Sequence, residues 1–100
     1  MSLEINKAKS YLGFAIKSRA IKFGVDDIIK MKSAKLIIVS DELKESSEKK
    51  ILSYSQKNNI ELLKLTLDDF QKLLDNNNIK AVAITDENLA AQIKKNLTNL

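Results

Sequence analysis

The chain has 100 residues, of which 44% are apolar and 30% are charged. This length is sufficient for one domain, and the composition is typical of a folded protein rather than a disordered or fibrous one. Cys and His are both absent, which excludes disulfides, Cys or His metal sites, thiol nucleophiles and His-based acid–base catalysis. We therefore expect a single domain that binds a partner and is not an enzyme.

The net charge of +4 is unevenly distributed along the chain. Residues 1–35 carry eight Lys and Arg against three acids, whereas residues 36–100 carry nine against ten. A basic segment attracts phosphate backbones, acidic proteins and anionic membranes alike, and lysines that only solubilise exposed helix faces are an equal alternative. The N-terminus lacks a signal-peptide core and no apolar stretch approaches a membrane span, so we expect a cytoplasmic protein without membrane contact.

The first predicted elements are a helix and a short strand. Apolar residues recur at helical spacing over residues 3–18, with lysines between them, which predicts an amphipathic helix. Residues 20–23 alternate apolar and polar side chains as a strand does. Gly24 ends that strand, and in a chain with no Pro and only two Gly it indicates a turn of special backbone geometry.

The central predicted elements are two helices separated by a buried strand. Asp26 and Asp27 provide the negative charge that favours the first turn of a helix, which we expect to extend to about Lys32. Residues 36–39 form a continuous β-branched and aliphatic run, which predicts a strand buried on both faces. Acids and lysines then alternate over residues 42–57 around apolar positions, which predicts a surface helix.

Two further strands, each followed by a helix, complete the chain. Strands are predicted over residues 60–65 and 79–85. Thr66 and Asp69 have the spacing of a capping box at the start of one helix, and Asp86 can cap the other. The order α-β-α-β-α-β-α-β-α with short connections predicts an α/β domain, in which a sheet of four strands is covered by helices on both faces.

Polar residues that follow predicted strands are candidate ligand contacts, because ligands of open α/β sheets bind beyond the carboxyl ends of strands. Four carboxylates at these positions can in principle hold Mg²⁺. Helix capping explains Asp26, Asp69 and Asp86 without a metal, and no Gly-rich phosphate loop follows any strand. We therefore expect no metal, nucleotide or other cofactor.

The turn after Gly24 is the strongest candidate site. A helix that starts there offers free backbone N–H groups to phosphate, and lysines lie nearby in sequence at Lys22, Lys30, Lys32 and Lys35. Lys30 follows Asp26 and Asp27 by one helical turn, so the three side chains can share a face and contact a base edge. The alternative is an ordinary capped helix with solvated lysines.

The segments Lys22–Lys30 and Ser33–Asp41 resemble the ribosomal protein L-seven-Ae/L-thirty-e/S-twelve-e/Gadd superfamily, and its bacterial YlxQ-type branch in particular. The resemblance continues through residues 59–60, 67–74 and 81–87 and so covers nearly the whole chain as one domain, 1–100. It implies a three-layer α-β-α sandwich around a four-stranded mixed sheet, no catalytic activity, and binding of kink-turn RNA.

The resemblance also implies roles for particular residues. In the signature Gly-x-Asn-Glu-x-x-Lys of kink-turn binders, Gly24 and Lys30 match, Asp26 replaces Asn, and Asp27 replaces Glu. The loop before the last strand, Asp75–Asn78, corresponds to a second RNA contact of the family. The predicted RNA-binding residues are Lys22, Gly24, Val25, Asp26, Asp27, Lys30, Lys32, Lys35, Asn76, Asn77 and Asn78.

Three functions remain open from the sequence. The first is binding of ribosomal or other structured RNA through the Gly24 turn. The second is a protein-interaction module on the same fold, which the loss of Asn and Glu at Asp26 and Asp27 favours. The third is a Mg²⁺-dependent acidic site at Asp41 and Asp86.

Overall fold

The computed structural model describes residues 3–76 and 78–98. These residues form helices and strands in the predicted alternating order. The elements are α1 (Leu3–Lys17), β1 (Ile21–Phe23), α2 (Val25–Ile28), β2 (Leu36–Ser40), α3 (Glu45–Lys57), β3 (Glu61–Leu65), α4 (Leu67–Leu73), β4 (Ala81–Ile84) and α5 (Glu87–Thr98).

The sheet has the strand order β1-β4-β2-β3 and is mixed. β4 is antiparallel to both of its neighbours: Ile84 lies opposite Ile21 of β1 and opposite Leu36 of β2. β2 and β3 are parallel, with Leu36 opposite Glu61. The predicted four-stranded mixed sheet is therefore confirmed.

Helices cover both faces of this sheet because its central strands are apolar on both sides. All of β2 is buried, as predicted. Leu36 and Ile38 face a core built with α1, α4 and α5, whereas Ile37 and Val39 face a second core built with α2 and α3. The molecule is an α/β protein of three layers, α-β-α.

The helix after Gly24 is shorter than the sequence predicts. α2 ends at Ile28, and the N–H of Met31 donates to the Ile28 carbonyl at 3.0 Å in a turn that redirects the chain. The Met31 carbonyl accepts a hydrogen bond from the hydroxyl of Tyr54 on α3. The prediction of a helix to Lys32 is wrong because this contact with a distant helix draws the chain out of helical geometry.

Within residues 3–76 and 78–98, no helix combines the length and the apolar character that a membrane span requires.

Candidate nucleic-acid interface

Three strands end and one begins at the same edge of the sheet. Ser40, the last residue of β2, lies opposite Leu65, the last residue of β3. Ala81, the first residue of β4, lies opposite Val39, and Phe23 at the end of β1 lies opposite Val82. The turns that follow β1, β2 and β3 and the loop that precedes β4 therefore meet at this edge, which we call the cleft edge.

A cleft of about 580 Å³ opens at this edge. It is lined by Phe23–Asp26, by Glu42–Lys44 with Ser47 of α3, and by Asn78–Ala81. Such a volume lies within the range of ligand-binding clefts in proteins. The cleft thus brings together the turn after β1 and the loop before β4, which are far apart in sequence.

Gly24 shapes the first wall of the cleft. Its backbone has φ 86° and ψ 142°, a region that is accessible to Gly and costly for other residues. A Cβ at this position would meet nothing within 4 Å, so the requirement for Gly is conformational and not one of space. The Gly24 N–H donates to the Ala81 carbonyl at 2.9 Å and ties the turn to the start of β4.

The turn after β2 forms the second wall. The buried hydroxyl of Ser40 accepts the Glu42 N–H at 3.1 Å, which folds the chain towards the start of α3. Lys44 is the N-cap residue of α3, and no side chain of the described residues accepts a cap hydrogen bond there. The first-turn N–H groups of α3 therefore remain open to an acceptor from outside the chain.

The cleft contains charges of both signs. Asp26 and Glu42 provide carboxylates, and Lys44 and Lys80 provide ammonium groups. Lys50 of α3 lies 3.8 Å from Asp26, with both side chains largely exposed. This exposed pair contributes little to stability, but it places a cation next to Asp26, one of the predicted RNA-binding residues.

Lys44 and Lys80 are absent from the residues that the sequence suggested. Lys44 precedes α3 and Lys80 precedes β4, and only the antiparallel placement of β4 beside β1 and β2 brings them to the Gly24 turn. Each lysine lies near the start of a predicted element, which is a local signal that it is close to a turn. Without the strand order, however, that signal does not indicate which ends meet.

None of the predicted lysines lines the cleft. Lys22 is exposed on the edge strand β1, opposite Ala83 and on the sheet face covered by α2 and α3. Lys30 and Lys32 are exposed in the connection between α2 and β2. Since α2 ends at Ile28, Lys30 does not share a helical face with the two aspartates.

Lys35 lies at the opposite edge of the sheet. Its N–H donates to the Ile84 carbonyl at 2.7 Å, and it borders a depression with Glu61, Glu87 and Lys94. β2 separates it from the cleft by five residues, about 17 Å at the rise of a strand. The predicted grouping of Lys35 with the Gly24 turn is therefore wrong.

The asparagine loop contributes one residue to the cleft. Asn78 borders the cleft, whereas Asn76 uses its side-chain oxygen to accept the Asn78 N–H at 2.9 Å and so shapes the turn. Asn76 faces a separate depression beside α1 and α4. Asn77 lies outside the described residues. The remaining predicted residues, Val25 and Asp27, follow Gly24 in α2, where Val25 is buried and Asp27 is exposed.

The acids proposed for magnesium do not form one site. Because β4 is antiparallel to β2, Asp41 lies at the cleft edge and Asp86 at the opposite edge. Asp41 accepts the Leu67 N–H at 3.0 Å, and Asp86 accepts the Leu89 N–H at 2.9 Å. The described part of the chain holds no cluster of three or more acids placed to bind a metal ion. The prediction of a shared Asp41–Asp86 site is wrong.

Comparison with known proteins supports the fold. No family model matches the chain, and no curated protein matches it. A solved structure from Bacillus halodurans, described as a protein with unknown function, superposes with a TM-score of 0.79. The match covers 92% of this chain and 97% of that one at 17% identity. At that identity the likeness shows the fold alone.

Proposed function

We propose that this chain is a non-catalytic RNA-binding protein of ribosomal type, a member of the L-seven-Ae/L-thirty-e superfamily that binds structured, kink-turn-like RNA at the cleft. The observation that carries the proposal is that the Gly24 turn and Asn78 border one cleft. The turn was selected from its own sequence and from the resemblance, and the asparagine loop from the resemblance alone. Their convergence provides one surface for both family-type contacts.

Two groups supply affinity for the RNA backbone. Lys44 and Lys80 both line the cleft and present ammonium groups to phosphates. The first-turn N–H groups of α3, which no described side chain caps, are further donors to a phosphate oxygen. Both kinds of contact are independent of base sequence.

The acids of the Gly24 turn supply base recognition. Carboxylates accept hydrogen bonds, and guanine carries an amino group that can donate one. Asp27 retains a carboxylate acceptor at the position of the Glu in the signature, and the carboxamide of Asn78 can both donate and accept hydrogen bonds. Asp26 adds a negative charge, which Lys50 at 3.8 Å offsets. On this proposal the protein acts in the bacterial cytoplasm on ribosomal or other structured RNA.

Salt-dependent binding to a kink-turn RNA tests the proposal. With about three or four phosphate contacts, log K is expected to fall against log [salt] with a slope of about −2 to −4. Lys44→Gln and Lys80→Gln should each weaken binding and flatten the slope by about 1.

Lys35→Gln is the matched control, because Lys35 is an exposed lysine at the opposite edge of the sheet. It should leave the slope unchanged. Absence of binding at low salt, or an equal effect of Lys35→Gln and Lys44→Gln, would contradict the proposal.

A further inference from the structure

A second concave surface lies on the other side of the molecule, between α1 and α5. The two helices are antiparallel neighbours, because α1 leads into Ile21 and α5 follows Ile84, and these residues are paired in the sheet. The groove between them has a volume of about 460 Å³. It belongs to the layer that packs on the face opposite α2 and α3, so it is separate from the cleft.

An exposed aromatic ring lies in this groove. Phe14 is 57% exposed although it belongs to a helix with a well-buried side. That buried side consists of Ile5, Ala8, Leu12 and Ala15. At 100° per residue, Phe14 lies on the opposite side of α1, so packing of the core does not account for it. Tyr11, one turn earlier, borders the same groove and packs partly against the core.

The charge of the groove is positive. Lys7 of α1 and Lys95 of α5 both border it, and none of the described residues that line it is acidic. Two other lysines of these helices pair with acids elsewhere: Lys9 with Asp75 at 2.9 Å and Lys94 with Glu61. Among the described residues, Lys7 and Lys95 have no ion-pair partner within 4 Å. The groove therefore complements an anion that also carries a flat apolar surface.

A nucleotide combines these two properties. Unpaired bases stack on aromatic side chains, and lysines contact the flanking phosphates. The remaining polar lining, Gln92 and Asn96, supplies carboxamides that can donate to and accept from a base edge. The two cations, with no acid among the described lining residues, favour RNA over a protein segment, for which a larger apolar centre depleted of charged residues is typical.

We infer that the α1–α5 groove is a second RNA-binding surface, which holds an unpaired nucleotide with its base on Phe14 and its phosphates at Lys7 and Lys95. The inference rests on the proposed RNA-binding function and extends it to single-stranded RNA that flanks the structured element. The cleft recognises the fold of the RNA, and the groove captures an adjacent strand.

The test uses the full chain and an unstructured RNA of about eight nucleotides, a length typical of single-strand binding sites. Phe14→Ala should weaken binding of this RNA by about 5- to 100-fold, since a stacked base contributes on that scale. Ile16→Ala is the matched control, because Ile16 is a second exposed apolar residue of α1 that lies outside the groove. It should leave the affinity unchanged.

Phe14→Trp tests directly whether a base stacks on the aromatic ring at position 14. The chain contains no Trp, so this variant has a single indole whose fluorescence reports on the groove. We expect it to retain the affinity of the unmodified chain for the unstructured RNA and to show quenching on titration. The double variant Lys7→Gln with Lys95→Gln should flatten the salt dependence by about 1 to 2 units of slope.

The outcomes separate the two proposals. If the chain binds kink-turn RNA through Lys44 and Lys80 but Phe14→Ala does not weaken the unstructured RNA, the groove inference is wrong and the proposed function remains. If neither RNA binds, both are wrong. Self-association that depends on Phe14, seen by sedimentation without RNA binding, would replace the nucleotide by a protein as the occupant of the groove and overturn the inference.

Discussion

Two pairs of helices begin in different ways. At α4, the Thr66 hydroxyl accepts the Asp69 N–H at 3.1 Å and Asp41 accepts the Leu67 N–H at 3.0 Å. At α5, Asp86 accepts the Leu89 N–H at 2.9 Å. α2 and α3 begin at Gly24 and Lys44, where no side chain of the described residues accepts a cap hydrogen bond.

The two helices that lack side-chain caps are the ones that begin at the cleft. Gly24, Lys44 and Ser47 line it, whereas Thr66 and Asp86 do not. Side-chain caps stabilise a helix but occupy the N–H groups of its first turn. The helix starts that line the cleft leave those donors open to a ligand, and the two starts that do not line it use them for stability. The comparison predicts that loss of a side-chain cap lowers stability alone, whereas changes at the helix starts that border the cleft alter RNA affinity.

The largest expected effect on stability comes from Gly24→Ala. The conformation at φ 86° and ψ 142° costs a residue with a Cβ about 1–3 kcal/mol, so the free energy of unfolding should fall by that amount and RNA affinity should fall with it. Urea denaturation measures the first and RNA titration the second.

Gly13→Ala is the control for Gly24→Ala. Gly13 lies inside α1, and a Cβ there also meets nothing within 4 Å. In a helix interior the change should raise the free energy of unfolding by about 0.5–1 kcal/mol. The same sign for both variants would contradict the strained geometry assigned to Gly24.

The second prediction compares aspartates at two helix starts. Asp86→Ala removes a side-chain cap and should lower the free energy of unfolding by about 0.5–2 kcal/mol. Asp26→Ala removes an exposed carboxylate that caps nothing, and it should change stability by less than about 0.5 kcal/mol. Thermal unfolding of both variants checks the difference, which equal losses would disprove.

The third prediction concerns a variant in which the uncapped start of α3 gains a side-chain cap. Lys44 has φ −58° and ψ 145° at the N-cap of α3, an extended geometry compatible with a capping side chain. Lys44→Ser should raise the free energy of unfolding by about 0.5–1 kcal/mol and weaken RNA binding, because it removes a cation and occupies a donor.

Lys44→Gln separates these two effects. It removes the charge without supplying a favoured cap, so it should weaken RNA binding with little change in stability. A Ser variant that binds RNA as tightly as the unmodified chain would show that the start of α3 does not contact RNA.

The fourth prediction concerns the contact that joins the two cleft-side helices. Tyr54→Phe removes the hydrogen bond from α3 to the Met31 carbonyl after α2 and should cost about 0.5–1.5 kcal/mol. Burial raises the pKa of the Tyr54 phenol above its ordinary value. The native state therefore holds this proton more tightly than the unfolded chain does.

The resulting pH dependence has a definite sign. The stabilisation is fully present below about pH 10, the pKa of an unperturbed tyrosine, and is lost as the pH rises through the higher pKa of the folded protein. Urea unfolding across this range should show a decline in the unmodified chain that is smaller in Tyr54→Phe. An identical decline in both proteins would contradict the assignment.

The features that the sequence predicted correctly are local. The spacing of Thr66 and Asp69 and the position of Asp86 identify caps, because a cap hydrogen bond spans only three residues. The apolar run of β2 is also a local signal. A strand that is buried on both faces needs apolar side chains at consecutive positions, and this pattern can be seen without knowledge of the strand's neighbours.

The features that the sequence missed depend on contacts between distant segments. α2 ends early because its outgoing chain meets Tyr54 of α3. Lys80 joins the cleft and Asp86 leaves it because β4 runs antiparallel to β2. The direction of a strand is set by tertiary pairing, and no local pattern encodes it. The Gly24 turn and Asn78 were therefore within reach of the sequence, whereas Lys44 and Lys80 were not.

The most direct test of the central claim maps the RNA contact on the protein itself. Backbone amide resonances should be followed by NMR while a kink-turn RNA is added at low salt. The amides of Gly24, Lys44, Ser47 and Lys80 are predicted to shift together, while those of Lys35 and Asp86 at the opposite edge of the sheet stay unchanged. Shifts confined to the opposite edge, or no shifts at saturating RNA, would contradict RNA binding at the cleft.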